Sequence, residues 1–287
     1  MTPLIEKKLL SIRDLPTLPV VVVKLTAAVD DPTADGLRIA RLLQDDPALS
    51  ARVLRLVNSA LYAGAAPTSS VQLAVSRIGM VGIRNLATAV GVFKAFGPGQ
   101  QSAFDRKEFW RHCIHCGVAS TILFRKARGK LKHFYPDDVL HLCGLVHDIG
   151  RIVLDVYFHE QFLAAMAARD QTMAPLIEME RQHIGTDHTE VGAWLAKHWR
   201  MAPAVEQVIR WHHDPDSADP EYRELAGLCN AANYICNFHQ LGWSGDYSPE
   251  YLPMVWERLG ITPADAHEIG LNIVADGQYS QLLSVLE

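Results

Sequence analysis

Four stretches of this chain each set a histidine on the apolar stripe of a helix. Their imidazoles can be buried together only if the four stripes face one core, because a buried imidazole without a partner is costly. In the first stretch Phe109, His112, Cys113 and Cys116 share a face. In the second, which starts near Asp138, Val139, Leu142, Cys143, Val146 and His147 form a broad stripe. Asp148 follows about 100° further round, and Gly150 is expected to end that helix. In the third, Asp187 and Glu190 form a capping pair that places His188 in the first turn, with Val191 and Leu195 on its face. In the fourth, Val205, Val208, Ile209 and His212 repeat the pattern, with His213 four residues after Ile209.

The rest of the chain reads as helix too. Asp46-Pro47 supplies an N-cap and a first-turn proline for a helix from Ala48 to Asn58, with Leu49, Val53, Leu56 and Val57 on one stripe. Ser70 caps a helix that runs through Ile78 and stops at Gly79, and a second helix follows from about Val81 to Phe96. Val20-Val21-Val22-Val23 is the only strand-like run, but it continues through Val29 with helical spacing and is read as helix. The breaker-rich segment Gly97-Pro98-Gly99-Gln100-Gln101-Ser102 is the expected internal boundary. The expected fold class is all-α.

Imidazole and carboxylate are the ligands that hold divalent metals in hydrolytic sites. The string Gly144-Leu145-Val146-His147-Asp148-Ile149-Gly150-Arg151, followed by Asp187-His188 and His212-His213, is therefore weighed as a metal site. Each piece alone has a plainer reading. An inward histidine is commonly a hydrogen-bonded core residue, and a histidine doublet can cap a helix C-terminus, where positive charge is favoured. The joint occurrence on successive inner faces points to metal-site ancestry. Cys113-Ile114-His115-Cys116 looks like half a zinc motif, but no second Cys-x-x-Cys completes it, so it is read as helix packing.

Composition narrows the function classes. With 287 residues and 49% hydrophobic content the chain can bury a sizeable core in one large or two small domains. A net charge of -5 argues against a generic polyanion binder. The charge is uneven, because residues 1–100 hold 11 Lys/Arg against 7 Asp/Glu and residues 101–287 hold 16 against 25. The basic residues of 105–133 are read as a solvated helix face and loop. Five cysteines, an odd number inside apolar patterns, fit free thiols in a reducing compartment. The first residues lack a signal-peptide core and no run approaches the roughly 18 apolar residues of a membrane span, so a soluble cytoplasmic protein with no membrane partner is expected. Leu73 to Ala89, with Gly79 between two short helices, loosely matches a helix-turn-helix. Its second helix offers only Arg84 and Lys94 as basic residues, so direct nucleic-acid binding is not expected.

Taken together these motifs resemble the HD superfamily of metal-dependent phosphohydrolases, and the whole chain is similar to HDOD proteins, bacterial signalling relatives of that superfamily. The resemblance covers roughly residues 10–240. It rests on Leu15-Pro16-Thr17-Leu18-Pro19, on Asp45-Asp46-Pro47-Ala48-Leu49 through Asn58-Ser59, and on Ala74 through Gly79. It continues with Phe109-Trp110-Arg111-His112, Gly144 to Arg151, Asp187-His188 through Gly192 and Trp199, and Trp211-His212-His213.

What the resemblance implies is an N-terminal helical subdomain (1–100) packed on an HD-like bundle (101–245), followed by an acidic helical tail (246–287). In active relatives the residues matching His112, His147, Asp148, His188, His212 and His213 bind one or two metals, of which iron, manganese, zinc and nickel are candidates. A metal-activated water attacks phosphorus, Asp148 binds or bridges the metal, and Arg151 could hold a phosphate oxygen. Three departures matter. Asn233 stands where a last aspartate ligand is usual, Arg151 stands where lysine is common in the cyclic-dinucleotide branch, and the Gly-Tyr-Pro signature is missing after His213-Asp214-Pro215.

Two functions stay open: a non-catalytic signalling module whose pocket binds a ligand or holds the fold, and a phosphohydrolase acting on a nucleotide or other phosphate ester. With no receiver, kinase or cyclase domain evident, the expected partner is a signalling protein or a small phosphorylated ligand.

Overall fold

The computed structural model describes residues 3–12, 15–59, 61–62, 67–96, 104–246, 250–276 and 283–284. The expected boundary at 97–102 lies outside the described residues. Helices dominate, and among the described residues there is no strand. The fold is all-α, as the periodicity requires. In chain order the helices are α1 (Pro3–Leu10), α2 (Val20–Val29), α3 (Gly36–Gln44), α4 (Pro47–Val57), α5 (Val71–Phe96), α6 (Arg106–Ala127), α7 (Asp137–Val146) and α8 (Ile149–Tyr157). They continue with α9 (His159–Thr172), α10 (Leu176–Ile184), α11 (His188–His198), α12 (Pro203–Trp211), α13 (Arg223–Phe238), α14 (Pro253–Leu259) and α15 (Pro263–Ala275). They fall into two compact units: Met1–Leu15 with Pro98–Ala275, and Pro16–Gly97 with Asp276–Glu287.

In the smaller unit, α5 packs against α2, α3 and α4. Asp46 caps α4 by accepting from the Leu49 amide at 3.0 Å, with Pro47 in the first turn. The Asn58-Ser59 motif has a local explanation. The Asn58 carboxamide donates to the Thr68 carbonyl at 2.8 Å and accepts from the Thr68 amide at 2.7 Å, which ties the end of α4 to the entry of α5. Helix α5 is two helices joined at Gly79, whose φ of 82° and ψ of 168° are open to glycine alone. This is where the sequence expects a stop. Val71–Phe96 as a whole is long and apolar enough to cross a membrane, but Gly79 divides it and 56% of its most apolar window is buried inside the protein.

The larger unit is built around α6, which packs on α7 and α13. A Cβ on Gly144 would run into the Gly117 backbone, so α6 and α7 meet backbone to backbone one turn before His147. A second close crossing joins α8 to α11. Here the sequence reading needs correcting. The helix beginning near Asp138 ends at Val146, not at Gly150, and a new helix opens at Ile149. Asp148 sits between them at φ −100°, ψ 12°. Gly150 lies in the first turn of α8, where a Cβ would collide with the His188 carbonyl oxygen. Its role is to admit α11. The acidic segment after α13 also packs in this unit. Helices α14 and α15 lie on α13, α15 also touches α6, and Trp256 is buried against Tyr234.

Candidate metal centre

The two glycine crossings decide what meets in the middle of the larger unit. His112 projects from α6. His147 and Asp148 occupy the junction between α7 and α8, His188 opens α11, and His212 and His213 close α12. His112, His147, Asp148, His188 and His212 are fully buried, and His213 is only partly covered. Asp148 is the hub. Its Oδ1 lies 3.2 Å from His188 Nε2 and 3.4 Å from His212 Nε2, and its Oδ2 lies 3.4 Å from His147 Nε2 and 3.3 Å from Arg151 Nη1. None of these contacts is a well-formed hydrogen bond. Both Asp148 oxygens, His147 Nε2 and His212 Nε2 are buried with no hydrogen-bond partner among the described residues.

Four histidines have their tautomers set by acceptors on the far side of the ring. His147 Nδ1 donates to the Gly144 carbonyl at 2.8 Å and His212 Nδ1 to the Ile209 carbonyl at 3.0 Å. His188 Nδ1 donates to Glu180 Oε2 at 2.6 Å, and His213 Nδ1 to Glu250 Oε2 at 2.7 Å. Carbonyl and carboxylate oxygens only accept, so each Nδ1 carries hydrogen and each neutral ring turns an Nε2 lone pair inward. The lone pairs of His188 and His213 meet at 3.2 Å, an arrangement that repels unless a proton or a cation lies with them.

The electrostatics point the same way. Asp148, Glu180 and Asp246 are three carboxylates gathered around the single guanidinium of Arg151, so the buried set lacks two positive charges. Burial would raise the Asp148 carboxyl, but Arg151, His147 and His188 hold it well below its ordinary range. Burial would also lower His188, yet the Glu180 carboxylate lifts it to about 9. Burial, with His147 beside it, pushes His112 down to about 3, and burial with His213 drives His212 well below its usual value. One imidazolium offsets half of the missing charge, and a divalent cation would offset all of it.

Of the residues singled out in the sequence, Asp148, His188, His212 and His213 form one group of donor atoms within 4.8 Å of one another. His112 and His147 form a second such group, together with Cys116. Arg151 is fully buried. It donates to the Ser244 carbonyl and to Asp246 Oδ2 (2.8 Å) while facing Asp148. Asn233 is buried on α13, and its side-chain oxygen accepts from Asn237 at 2.8 Å.

Glu180, Asp246 and Glu250 escaped the sequence reading because no local spacing links them to the histidines. Cys116 did carry a signal, one helical turn beyond His112 on the same face, but that face was read as packing. Outside the buried set, a cleft of about 530 Å³ opens beside His213 and is lined by Trp211, Arg210, Arg181 and Thr186 among others.

The sequence profile of the HDOD domain matches residues 15–215. An uncharacterized protein of Treponema pallidum (strain Nichols) is 28% identical over 227 residues, which cover 79% of this chain and 43% of that protein, so the chain spans less than half the length of this relative. A solved structure of a candidate phosphohydrolase from Shewanella amazonensis SB2B is 26% identical with a TM-score of 0.74, and 98% of either chain is covered. The fold also matches a candidate signal transduction protein of Marinobacter aquaeolei VT8, with a TM-score of 0.75 and 21% identity, over 100% of this chain and 62% of that one.

Proposed function

The chain belongs to the HDOD family, and from that premise we propose that it is a bacterial, cytoplasmic regulatory module that holds a divalent metal in its buried His/Asp centre. One observation carries the reading. Four histidines are held by outer acceptors with Nδ1 outward and Nε2 turned into the centre, where His147 Nε2, His212 Nε2 and both Asp148 oxygens have no hydrogen-bond partner among the described residues. A core that needed these residues only for packing would leave costly unpaired acceptors. His188, His212, His213 and Asp148 would hold one ion, with His147 and His112 adjoining. The bound cation would supply the missing positive charge and, for hydrolysis, an acidic water.

Arg151 serves in this reading as the anchor of Asp148, because its guanidinium is already engaged with Asp148, Ser244 and Asp246. Only its Nε has no hydrogen-bond partner among the described residues, which leaves little of this cation free to take a phosphate oxygen. This favours a module that signals through a protein partner or a small phosphorylated ligand. The free, buried cysteines fit a reducing compartment. A second reading, a phosphohydrolase acting on a nucleotide or other phosphate ester, is favoured by the cleft beside His213, where Arg210 and Trp211 could receive a phosphate and a ring while Arg181 pairs with Asp187 at 2.7 Å.

Elemental analysis of the purified chain tests the first reading. One or two equivalents of iron, manganese, zinc or nickel are expected, lost on His147→Ala and on Asp148→Ala. A wild-type chain that is metal-free and takes up no added divalent ion overturns it. Turnover of a phosphoester panel by the loaded wild type, abolished in Asp148→Ala, would move the second reading to the front.

A further inference from the structure

Where α13 meets α14 and α15 lies a small pocket whose walls are mostly rings. Tyr234, Phe238 and His239 line it from α13 and its C-terminal end, Tyr251 from the approach to α14, and His267 from α15. Tyr234 and Phe238 are stacked, 5.9 Å apart at 16°. Tyr251 stands steeply to Tyr234 (5.6 Å, 66°) and His267 to Phe238 (6.3 Å, 88°), so the walls meet as the sides of a box do. The buried Trp256 stacks on Tyr251 at 5.7 Å and 10° and steadies that ring. A Cβ on Gly270 would strike the His239 ring, so α15 closes directly on that wall. The cavity measures about 130 Å³. Pockets that enclose drug-sized ligands measure roughly 300–1,000 Å³, so this one encloses a headgroup and not a whole molecule. Phe238 is 53% exposed and Tyr251 44%, which leaves the box open to solvent.

Each aromatic face carries partial negative charge, and no lysine or arginine lines the pocket. Residues 250–276 hold five carboxylates, Glu250, Glu257, Asp265, Glu268 and Asp276, against Arg258, which is itself paired with Asp216. Lys126 approaches from α6 but is held by Asp265 at 2.7 Å, and Lys130 lays its stem against Gly260. Burial and the neighbouring His267 lower the His239 imidazole, which keeps positive charge off that wall. A pocket for a neutral apolar group would gain nothing from this surplus of negative charge.

We propose that this aromatic box binds the methylated ammonium headgroup of a small free solute of the choline type. The ring faces attract the cation, its methyl groups fill the apolar volume, and the rest of the solute projects to solvent past Phe238 and Tyr251. A bare ammonium is strongly hydrated and lacks the methyl groups that fill the box, so methylation is part of what is recognised. The site shares no residue with the Asp148 group and does not rest on the reading of that group as a metal centre.

The test is isothermal titration calorimetry of the full chain with choline and with its uncharged isostere, in which a tert-butyl group replaces the trimethylammonium. Wild type should bind one equivalent of choline at least tenfold more tightly than the isostere. Phe238→Leu and Tyr251→Leu keep an apolar side chain but remove a ring, and each should weaken choline about fivefold or more. Tyr251→Phe keeps the ring and should retain the affinity, as should Met254→Ala, an exposed position on α14 outside the pocket. Equal affinity for choline and its isostere, or no saturable binding of choline, overturns the proposal. A trimethyllysine peptide bound at least tenfold more tightly than choline overturns the free solute as the source of the headgroup. The wild-type comparison of the two isosteres decides even if a ring variant does not fold.

Discussion

Glu180 holds His188 at two points, accepting from its ring Nδ1 at 2.6 Å and from its backbone amide at 2.9 Å. One carboxylate therefore fixes the start of α11, the orientation of the imidazole and the tautomer that turns Nε2 toward Asp148. Buried carboxylates placed this way behind a metal-type histidine raise its basicity and preset its geometry. Glu180→Gln keeps the volume and one acceptor but removes the charge. It should weaken divalent-ion binding about 10- to 100-fold, read by competition with a chromophoric chelator. Unchanged affinity would show that Glu180 serves the helix alone.

Asp148→Ala should do two separable things. It should abolish ion uptake, and it should leave the chelated protein no less stable than wild type, because it removes one of three carboxylates from a set short of positive charge while Asp246 and Glu180 still face Arg151. Urea unfolding with chelator present isolates the second effect. A variant markedly less stable than wild type under those conditions would contradict the charge deficit assigned to the centre.

Gly150→Ala should prove far more damaging than its size suggests. The added methyl would meet the His188 carbonyl, which is backbone and cannot swing aside. A loss of about 3 kcal/mol or more is expected, together with weaker ion binding, since α8 and α11 would have to separate. Thermal unfolding and chelator competition read the two effects. A near-neutral outcome would mean the crossing is looser than drawn.

Asn58→Ala should cost the smaller unit about 2 kcal/mol, because both hydrogen bonds to the Thr68 backbone disappear and leave two part-buried polar groups unpaired. Ion binding should not change. Calorimetry with and without added metal checks both statements.

Stability should fall on acidification. Burial lowers His141 from about 6.5 to about 4, against a raising contribution from the Gly117 backbone. Between those values the unfolded chain binds a proton that the folded imidazole refuses, so the contribution is intact above pH 6.5, declines as pH falls and levels off below about 4. The full loss amounts to about 3 kcal/mol. With chelator present, His141→Gln should lower the pH slope in this window by about one proton. An unchanged slope would rule His141 out as its source.

How much of this was legible in advance follows from which contacts are local. The Asp46-Pro47 start, the Gly79 break and the inward turn of His112, His147, His188 and His212 all depend on neighbours within one or two helical turns, and periodicity reveals them. The end of the second stripe was misplaced for a tertiary reason. Gly150 looked like a C-terminal stop because glycine commonly is one, yet here it marks the closest approach of α8 to α11, which no spacing announces. The partners of Arg151 that no local spacing announces, Ser244 and Asp246, lie more than ninety residues away.

By itself the sequence determined an all-helical chain and the identity of the buried imidazoles, because helical period and apolar stripes are set by side chains a few positions apart. The tertiary structure alone decided what each imidazole faces. It brought Glu180 behind His188, Asp246 behind Arg151, and Cys116 with His112 beside His147. It did so through two glycine crossings, at Gly117 with Gly144 and at Gly150, where the absence of a side chain lets backbones approach closely enough for residues from five helices to share one small, charge-deficient space.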